Sequence, residues 1–267
     1  MQHHTLTSKY LKREVLIHAV VPRNSYFPNS ESKLLVLNDG QDSQAYQLKE
    51  VLADWEQNHP GQNIVALAVH VGERKQEYGI SNRPDFAQRG SRALEYARFI
   101  ENELLPWAFS SFHVSKKPED AAISGFSLGA LSAFDLAWTL PHVFGTAGLF
   151  SGSFWWRSKD LNHGYRPEDR IALQCINDDK STKNLRFWFQ TGWLDEGADR
   201  DQDGLIDSIG DTLDVIRALQ NIGYKPGTDI EYVELGSGHH DHKTMARAFP
   251  QFLQWWILKN NNGTHTG

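Results

Sequence analysis

Residues 125–129 read Gly-Phe-Ser-Leu-Gly, a G-x-S-x-G pattern that sets Ser127 between two glycines. An apolar stretch of strand character, residues 119–124, precedes the pattern, and residues 130–137 follow it with helical periodicity. Strand, sharp turn and helix in this order are typical of a nucleophile elbow, where glycines permit a cramped turn and the serine hydroxyl stands at its apex. The pattern therefore predicts nucleophilic chemistry at Ser127.

A serine hydroxyl needs a base to remove its proton, and a carboxylate commonly orients a histidine for that task. When such residues follow an elbow, their order along the chain is Ser, Asp or Glu, then His. A predicted strand at 186–191 runs into Asp195, the favoured carboxylate, with Glu196 as its competitor. A second strand at 230–235 runs into the sequence G-S-G-H-H-D-H, in which one of the histidines is the predicted base.

The negative charge of a tetrahedral intermediate requires hydrogen-bond donors close to the attacked carbonyl. The backbone N–H of Leu128, directly after the nucleophile, is the first predicted donor. The second should come from the turn after the strand at residues 34–37, where the sequence is N-D-G-Q-D, and we predict the N–H of Gln41. Asp-Gly is also a common tight-turn dipeptide, and both roles are compatible.

A separate acidic segment, residues 199–207, reads D-x-D-x-D-G-x-x-D. Alternating carboxylates around a glycine suit a hard cation, and the spacing matches the start of a calcium-binding loop. The twelfth position holds Gly210 instead of the expected glutamate, so this is not a full EF-hand. The alternative is an acidic cap for the helix that begins near Ser208. The ligands predicted for a structural calcium ion are Asp199, Asp201, Asp203, Leu205 and Asp207.

The elements that must position these residues alternate between strand and helix from residue 34 onward. This alternation predicts an α/β fold with a mainly parallel, doubly wound sheet and helices on both faces, preceded by an antiparallel strand at residues 11–21. Each candidate follows a predicted strand, so the candidates should meet at the carboxyl edge of the sheet. The segment 154–179 is predicted to cover that site.

Bulk properties narrow the class of protein. The 267 residues show no linker or repeat and predict a single domain over residues 1–258 with a flexible tail at 259–267. A net charge of −6 argues against nucleic acid or an anionic membrane as a partner. No apolar stretch approaches the about 18 residues that span a bilayer, and a cytoplasmic location is expected. Cys175 is the only cysteine, which excludes an intrachain disulfide.

Several of these segments together resemble the putative esterase family of α/β-hydrolases, which includes enterochelin esterases, feruloyl esterases, esterase-D-type hydrolases and mycolyltransferases. The similar segments cover roughly residues 30–258. They are the D-G-Q-D turn at residues 39–42, an E-R-x-x-E-Y segment at 73–78, the F-x-x-x-E-L-L-P helix at 99–106, the elbow, and S-G-S-F-W-W at 151–156. The resemblance implies an α/β-hydrolase fold and places the Gln41 amide in the oxyanion hole.

The C-terminal part of the resemblance bears on the histidine. Aligning Phe249-Pro250-Gln251-Phe252-Leu253 with the F-P-x-F-L segment of the family puts His240 at the catalytic position and His239 beside it. Asp241-His242 stands where the family has Asn-Glu, and Met245 stands where it has Trp. These departures leave His239 as the alternative to His240.

The function that the sequence predicts is a serine hydrolase that cleaves a carboxylic ester through an acyl-enzyme. Ser127, His240 and Asp195 form its triad, and no cofactor is needed for the chemistry. The expected partner is a small-molecule ester, and the oligomeric state is left open. Two rival hypotheses are a non-catalytic carbohydrate- or peptide-binding module on a hydrolase fold and an acyltransferase that uses an alcohol in place of water.

Overall fold

The computed structural model describes residues 1–22 and 31–261, and eight strands in that part of the chain form a single mixed sheet. Their spatial order is β1-β2-β4-β3-β5-β6-β7-β8. The strands are β1 (Gln2–Ser8), β2 (Arg13–Val20), β3 (Lys33–Leu37), β4 (Ile64–Val69), β5 (Ala121–Phe126), β6 (Thr146–Phe150), β7 (Arg186–Leu194) and β8 (Ile230–His239).

The strand directions divide the sheet into two parts. Strands β3 to β8 run parallel to one another, whereas β2 pairs antiparallel with both β1 and β4. The parallel strands are strongly apolar, and all six residues of β4 and of β5 are buried. Continuous apolar runs of this kind form where a strand is covered on both faces. The carboxyl ends of the six parallel strands therefore share one edge of the sheet.

Helices cover both faces of this sheet. They are α1 (Leu48–Asn58), α2 (Arg74–Glu77), α3 (Ala93–Phe99), α4 (Leu105–Ser111), α5 (Leu128–Thr139), α6 (Ile171–Asp179), α7 (Asp207–Asn221) and α8 (His242–Asn261). A π-helical turn, Ile100–Leu104, joins α3 to α4. The helix that follows the elbow, α5, is buried along eleven of its twelve residues, as its Ala- and Leu-rich sequence requires.

Two apolar cores result, one on each face. The larger core packs α3 to α7 against the sheet and includes Phe134, Phe187 and Tyr224. The smaller one packs α1 and α8 on the opposite face around Trp188 and Phe252. This layering confirms the predicted α/β class with a mainly parallel, doubly wound sheet.

The structure differs from the sequence-based expectations in several elements. Strand β1 and helix α6 lie in segments for which we predicted no regular structure, and β8 extends through His239 where a loop was expected. The last helix continues to Asn261, into the segment predicted as a tail, while residues 262–267 of that tail lie outside the described residues. Across residues 1–22 and 31–261, no helix combines the length and apolarity needed to cross a bilayer.

Candidate active site

Ser127 lies in the sharp turn between β5 and α5, with φ 57° and ψ −120°. Non-glycine residues rarely adopt a positive φ, so this backbone is strained and must be held by its surroundings. The Ser127 N–H donates to the carbonyl of Phe150, and the Ser127 carbonyl accepts from the N–H of Ser153. A Cβ at Gly125 would overlap the backbone of Gly129, so the turn requires glycine there.

His240, directly after β8, meets the serine at this turn. Its Nε2 lies 2.9 Å from the Ser127 Oγ, and the ring packs against Phe126, with the centroids 4.6 Å apart. The residue stays accessible to solvent, yet burial of part of the ring lowers its pKa below 6.5, and the charge of Asp195 opposes that shift. A neutral imidazole at this distance is suited to accept the serine proton.

The neighbouring histidine is placed differently. His239 ends β8 opposite Leu194. The backbone N–H of His239 donates to the hydroxyl of Thr244, on α8. The structure thus brings His240, and not His239, to Ser127.

Asp195 lies just past β7 and is 8% exposed. Its Oδ2 accepts the N–H of Gly192 at 3.1 Å, whereas its buried Oδ1 has no hydrogen-bond partner among the described residues. Glu196 is exposed and accepts the backbone N–H of Ser208 at the start of α7. The charge of Asp195 raises the pKa of His240, and no direct hydrogen bond joins the two side chains among the described residues.

The turn after β3 lies against the elbow. Gly40–Asp42 form a short 3₁₀ segment in which the N–H of Asp42 donates to the Asp39 carbonyl. Leu128 is the first residue of α5, and the first N–H groups of a helix have no acceptor within that helix. A hydrogen bond from the Asn38 side chain to the Gly129 carbonyl, 2.7 Å, ties the two segments together. Both predicted oxyanion donors, Leu128 and Gln41, thus belong to adjoining turns.

A buried polar network that the sequence did not reveal holds the β3 turn in place. Asp39 has φ 58°, and its carboxylate accepts two hydrogen bonds of 2.8 Å from Arg74. The same guanidinium donates to the Phe126 carbonyl inside the elbow, and the Tyr78 hydroxyl accepts the Asp39 N–H at 2.8 Å. In the sequence, only the resemblance of the E-R-x-x-E-Y segment pointed to residues 74 and 78. Their contacts with Asp39 join residues that are far apart in the chain, so they produce no local sequence pattern.

A second hydroxyl, that of Ser153, lies next to Ser127 and was not predicted from the sequence. The Ser153 Oγ lies 3.3 Å from the Ser127 Oγ, and Ser153 is almost fully buried. Ser153 belongs to the loop that directly follows β6, the strand that pairs with the elbow strand β5. The S-G-S sequence was the one available signal, and by itself it indicated only a turn.

The acidic segment brings together three of its five predicted ligands. Carboxylate oxygens of Asp199, Asp201 and Asp203 lie within 4.8 Å of one another. Asp207 instead accepts the Arg200 N–H at 2.8 Å and lies beside the Arg200 guanidinium, while Leu205 is exposed and its N–H donates to Asp203. Helix α7 begins at Asp207, so the structure is also compatible with the alternative in which this segment is an acidic cap for the helix.

Cys175 lies apart from these residues, on α6. Burial raises the pKa of its thiol to about 12. A thiol with such a pKa is not a nucleophile near neutral pH.

Comparison with known proteins gives the wider context. The YbbA protein of Bacillus subtilis (strain 168), itself uncharacterized, is 23% identical over 205 residues, which are 74% of this chain and 75% of that protein. The diacylglycerol acyltransferase/mycolyltransferase Ag85A of Mycobacterium tuberculosis (strain ATCC 25618 / H37Rv) is 29% identical over 128 residues, 46% of this chain and 36% of that protein.

Among solved structures, the enterobactin esterase FES from Shigella flexneri superposes with a TM-score of 0.73 at 18% identity. The match covers 99% of this chain and 60% of FES, so the chain spans less than two thirds of that protein. Likeness at this identity establishes the α/β-hydrolase fold. A family-wide profile described as putative esterase matches residues 8–255. The chain therefore belongs to the putative esterase family.

Proposed function

We propose that this protein hydrolyses a small-molecule carboxylic ester through an acyl-enzyme on Ser127. The observation that carries the proposal is the 2.9 Å contact between the Ser127 Oγ, on its strained turn, and the His240 Nε2. Membership of an esterase family supports the same reaction class.

In the first half of the reaction, Ser127 attacks the ester carbonyl while His240 accepts the hydroxyl proton at Nε2. The imidazolium that forms is stabilised by the charge of Asp195, whose buried Oδ1 has no partner among the described residues and is the acceptor we assign to the His240 Nδ1–H. The N–H groups of Leu128 and Gln41 donate to the developing oxyanion.

Collapse of the tetrahedral intermediate breaks the bond to the alcohol, which takes the proton from His240 as it leaves. Water then enters, gives a proton to His240 and attacks the acyl carbon. The second tetrahedral intermediate releases the acid, and the Ser127 Oγ takes the proton back from His240 as it leaves. All groups in this cycle belong to the chain itself, and no cofactor is required for it.

Hydrolysis of p-nitrophenyl butyrate by the wild type and by Ser127→Ala tests the proposal. We expect the variant to lose at least about 10³-fold in kcat, because the nucleophile and its base act as a unit. Ser132→Ala, which removes a hydroxyl from the helix that follows the elbow, is the matched control and should keep its activity. A fluorophosphonate should label Ser127 in the wild type.

Retained turnover in folded Ser127→Ala would contradict the assignment of the nucleophile. Absence of both turnover and labelling in the folded wild type would instead favour the non-catalytic carbohydrate- or peptide-binding module.

Acyl transfer to an alcohol is the second candidate reaction, and the similarity to Ag85A favours it. Both reactions share the acyl-enzyme and differ in whether water or an alcohol attacks it. Adding glycerol or methanol to the p-nitrophenyl butyrate assay and separating the products distinguishes them. A glyceryl or methyl ester that forms faster than free acid at millimolar alcohol would establish transfer.

A separate hypothesis is that the acidic loop binds a structural calcium ion. The closeness of the carboxylate oxygens of Asp199, Asp201 and Asp203 supports it. Calorimetric titration of chelator-treated protein with calcium chloride tests it, with Asp201→Asn as the variant that removes one ligand. Absence of heat at millimolar calcium would end the hypothesis. The cytoplasmic location also stays a prediction, which fractionation of the source cells would test.

A further inference from the structure

Arg157 lies in a cage of aromatic rings in the loop that follows β6, the same loop that carries Ser153 to the nucleophile. Its guanidinium carbon is 5.2 Å from the ring centroid of Phe86, 5.9 Å from that of Trp155 and 5.8 Å from that of Tyr165. Phe86 lies between α2 and α3, and Trp155 and Tyr165 lie between β6 and α6. Stacking on aromatic faces leaves the N–H donors at the edge of a guanidinium open to another group.

The charge of Arg157 is not neutralised in the way that those of nearby arginines are. Arg89 pairs with Asp85, Arg170 pairs with Asp211 and Asp214, and Arg200 pairs with Asp207 and Asp211. Within residues 1–22 and 31–261, Arg157 forms no ion pair, and its one side-chain hydrogen bond is a long one, 3.5 Å, to the Trp155 carbonyl. Arg157 helps to lower the pKa of Asp160 but forms no ion pair with it, so the charge remains available to an anion.

Two buried polar atoms of the cage have no partner among the described residues. They are the Nε of Arg157 and the hydroxyl of Tyr165. Buried donors in folded proteins nearly always have an acceptor, so an acceptor atom that enters the cage would satisfy a donor that is otherwise unpaired. Burial raises the pKa of Tyr165, which keeps its hydroxyl protonated and able to donate.

Arg157 is close along the chain to the residue that contacts Ser127. Ser153, whose hydroxyl contacts the Ser127 Oγ, is only four residues before Arg157, so their Cα atoms are at most about 14 Å apart. The backbone of Arg157 is fixed by a bridge to Arg170 and by a hydrogen bond from the Phe86 N–H, 3.0 Å. A rigid donor at this distance can contact a distal part of an ester bound at Ser127.

We propose that Arg157 and Tyr165 form a subsite for a carboxylate of the substrate, so that the natural ester carries a second, anionic carboxyl group. The guanidinium fork matches the two oxygens of a carboxylate, and the Tyr165 hydroxyl supplies a further donor. This inference rests on the proposed ester hydrolysis for the identity of the ligand, and it specifies the substrate class of that site.

The test compares p-nitrophenyl monoesters of succinate, glutarate and adipate with neutral p-nitrophenyl esters of the same acyl length. For at least one length, Arg157→Met should lower kcat/KM for the anionic ester by about 10- to 100-fold, as expected for a hydrogen bond to a charged group. The neutral esters should change by less than about 3-fold. Tyr165→Phe should reduce the preference for the anionic ester in part, and Arg166→Met, a nearby exposed arginine, should leave it unchanged.

An equal loss for charged and neutral esters in Arg157→Met would show a merely structural role, and an unchanged ratio at every length would exclude the subsite. Calorimetry of monomethyl glutarate with Ser127→Ala and with Ser127→Ala/Arg157→Met separates this inference from the proposed mechanism, because it needs no turnover. Binding that persists equally in the double variant would overturn the subsite, even if Ser127 proves to be the nucleophile.

Discussion

Asp195 and His240 set the expected pH dependence at the scale of single residues. His240 must be neutral to accept a proton, so activity should rise as the pH passes through its pKa. Burial lowers that pKa below 6.5, and the charge of Asp195 raises it in opposition. We expect Asp195→Asn to shift the acid limb of the kcat/KM profile to lower pH while kcat falls by about 10²- to 10⁴-fold. Rate profiles with p-nitrophenyl butyrate measure both effects.

Glu196→Gln is the control for this prediction, because Glu196 is exposed and its carboxylate accepts a hydrogen bond from the backbone of Ser208, near the start of α7. Its profile should match that of the wild type. Equal losses in the two variants, or an acid limb that moves to higher pH in Asp195→Asn, would contradict the assigned role.

Ser153 is the second residue whose contribution follows from geometry. If the Ser127 hydroxyl donates to His240, the Ser153 hydroxyl must donate to the Ser127 Oγ and helps to hold its rotamer. Because a neutral hydrogen bond is worth about 1 kcal/mol, Ser153→Ala should reduce kcat by about 5-fold with little change in KM. The rate of fluorophosphonate labelling should fall in parallel.

Ser151→Ala provides the comparison for Ser153, since the Ser151 Oγ is also buried but has no partner among the described residues. It should leave kcat near the wild-type value. A faster enzyme after removal of the Ser153 hydroxyl would show that this group competes with His240 instead of assisting it.

At the scale of elements, the close approach of β7 and β8 is what brings the carboxylate toward the histidine. A Cβ at Gly192 would overlap the carbonyl oxygen of Gly238 and would lie 2.7 Å from the Asp195 Oδ1. Backbone overlap cannot be relieved by a rotamer change, so the strands must separate. We expect Gly192→Ala to lower both Tm and kcat, the latter by at least about 10-fold.

Gly236→Ala, also on β8, tests whether this effect is local. A Cβ there would meet nothing within 4 Å, so Tm and kcat should stay close to the wild-type values. Full activity in Gly192→Ala would mean that the spacing of these strands does not control the site.

The whole molecule carries a buried acid that should limit its stability. Asp135, on α5, accepts a hydrogen bond from Ser81, and burial raises its pKa from 3.8 to about 6. A raised carboxyl pKa destabilises the fold progressively as the pH rises from about 4 to 6, and the cost is complete above that range. Asp135→Asn should therefore increase the free energy of unfolding at pH 8 by up to about 3 kcal/mol.

Urea unfolding at pH 4 and pH 8 checks this prediction. The gain should shrink toward zero at the lower pH, where Asp135 is protonated in the folded wild type. Asp54→Asn, an exposed acid on α1, should show no such pH-dependent gain. A variant that is less stable at pH 8 would show that the ionised carboxylate is stabilised by its surroundings.

Many elements of this fold were predictable because the sequence patterns that indicate them are local. Apolar runs with turn residues after them marked β3 to β8, and the G-x-S-x-G pattern marked the elbow, since both depend on neighbours along the chain. Strand β1 was not predicted, because its alternating polar residues acquire strand structure only by pairing with β2. Helix α6 was missed for a related reason, as it depends on packing against the larger apolar core.

The sequence by itself determined the α/β class, the serine turn and the short set of residues near Ser127. The family resemblance favoured His240 over its neighbour, and in the structure His240 is the histidine that contacts the Ser127 hydroxyl. Tertiary structure alone decided that Asp39 pairs with Arg74, that Ser153 contacts the Ser127 hydroxyl and that Arg157 meets aromatic rings instead of a carboxylate. Each of these contacts joins separate loops, and their spacing depends on how the sheet and helices pack, which no local pattern encodes.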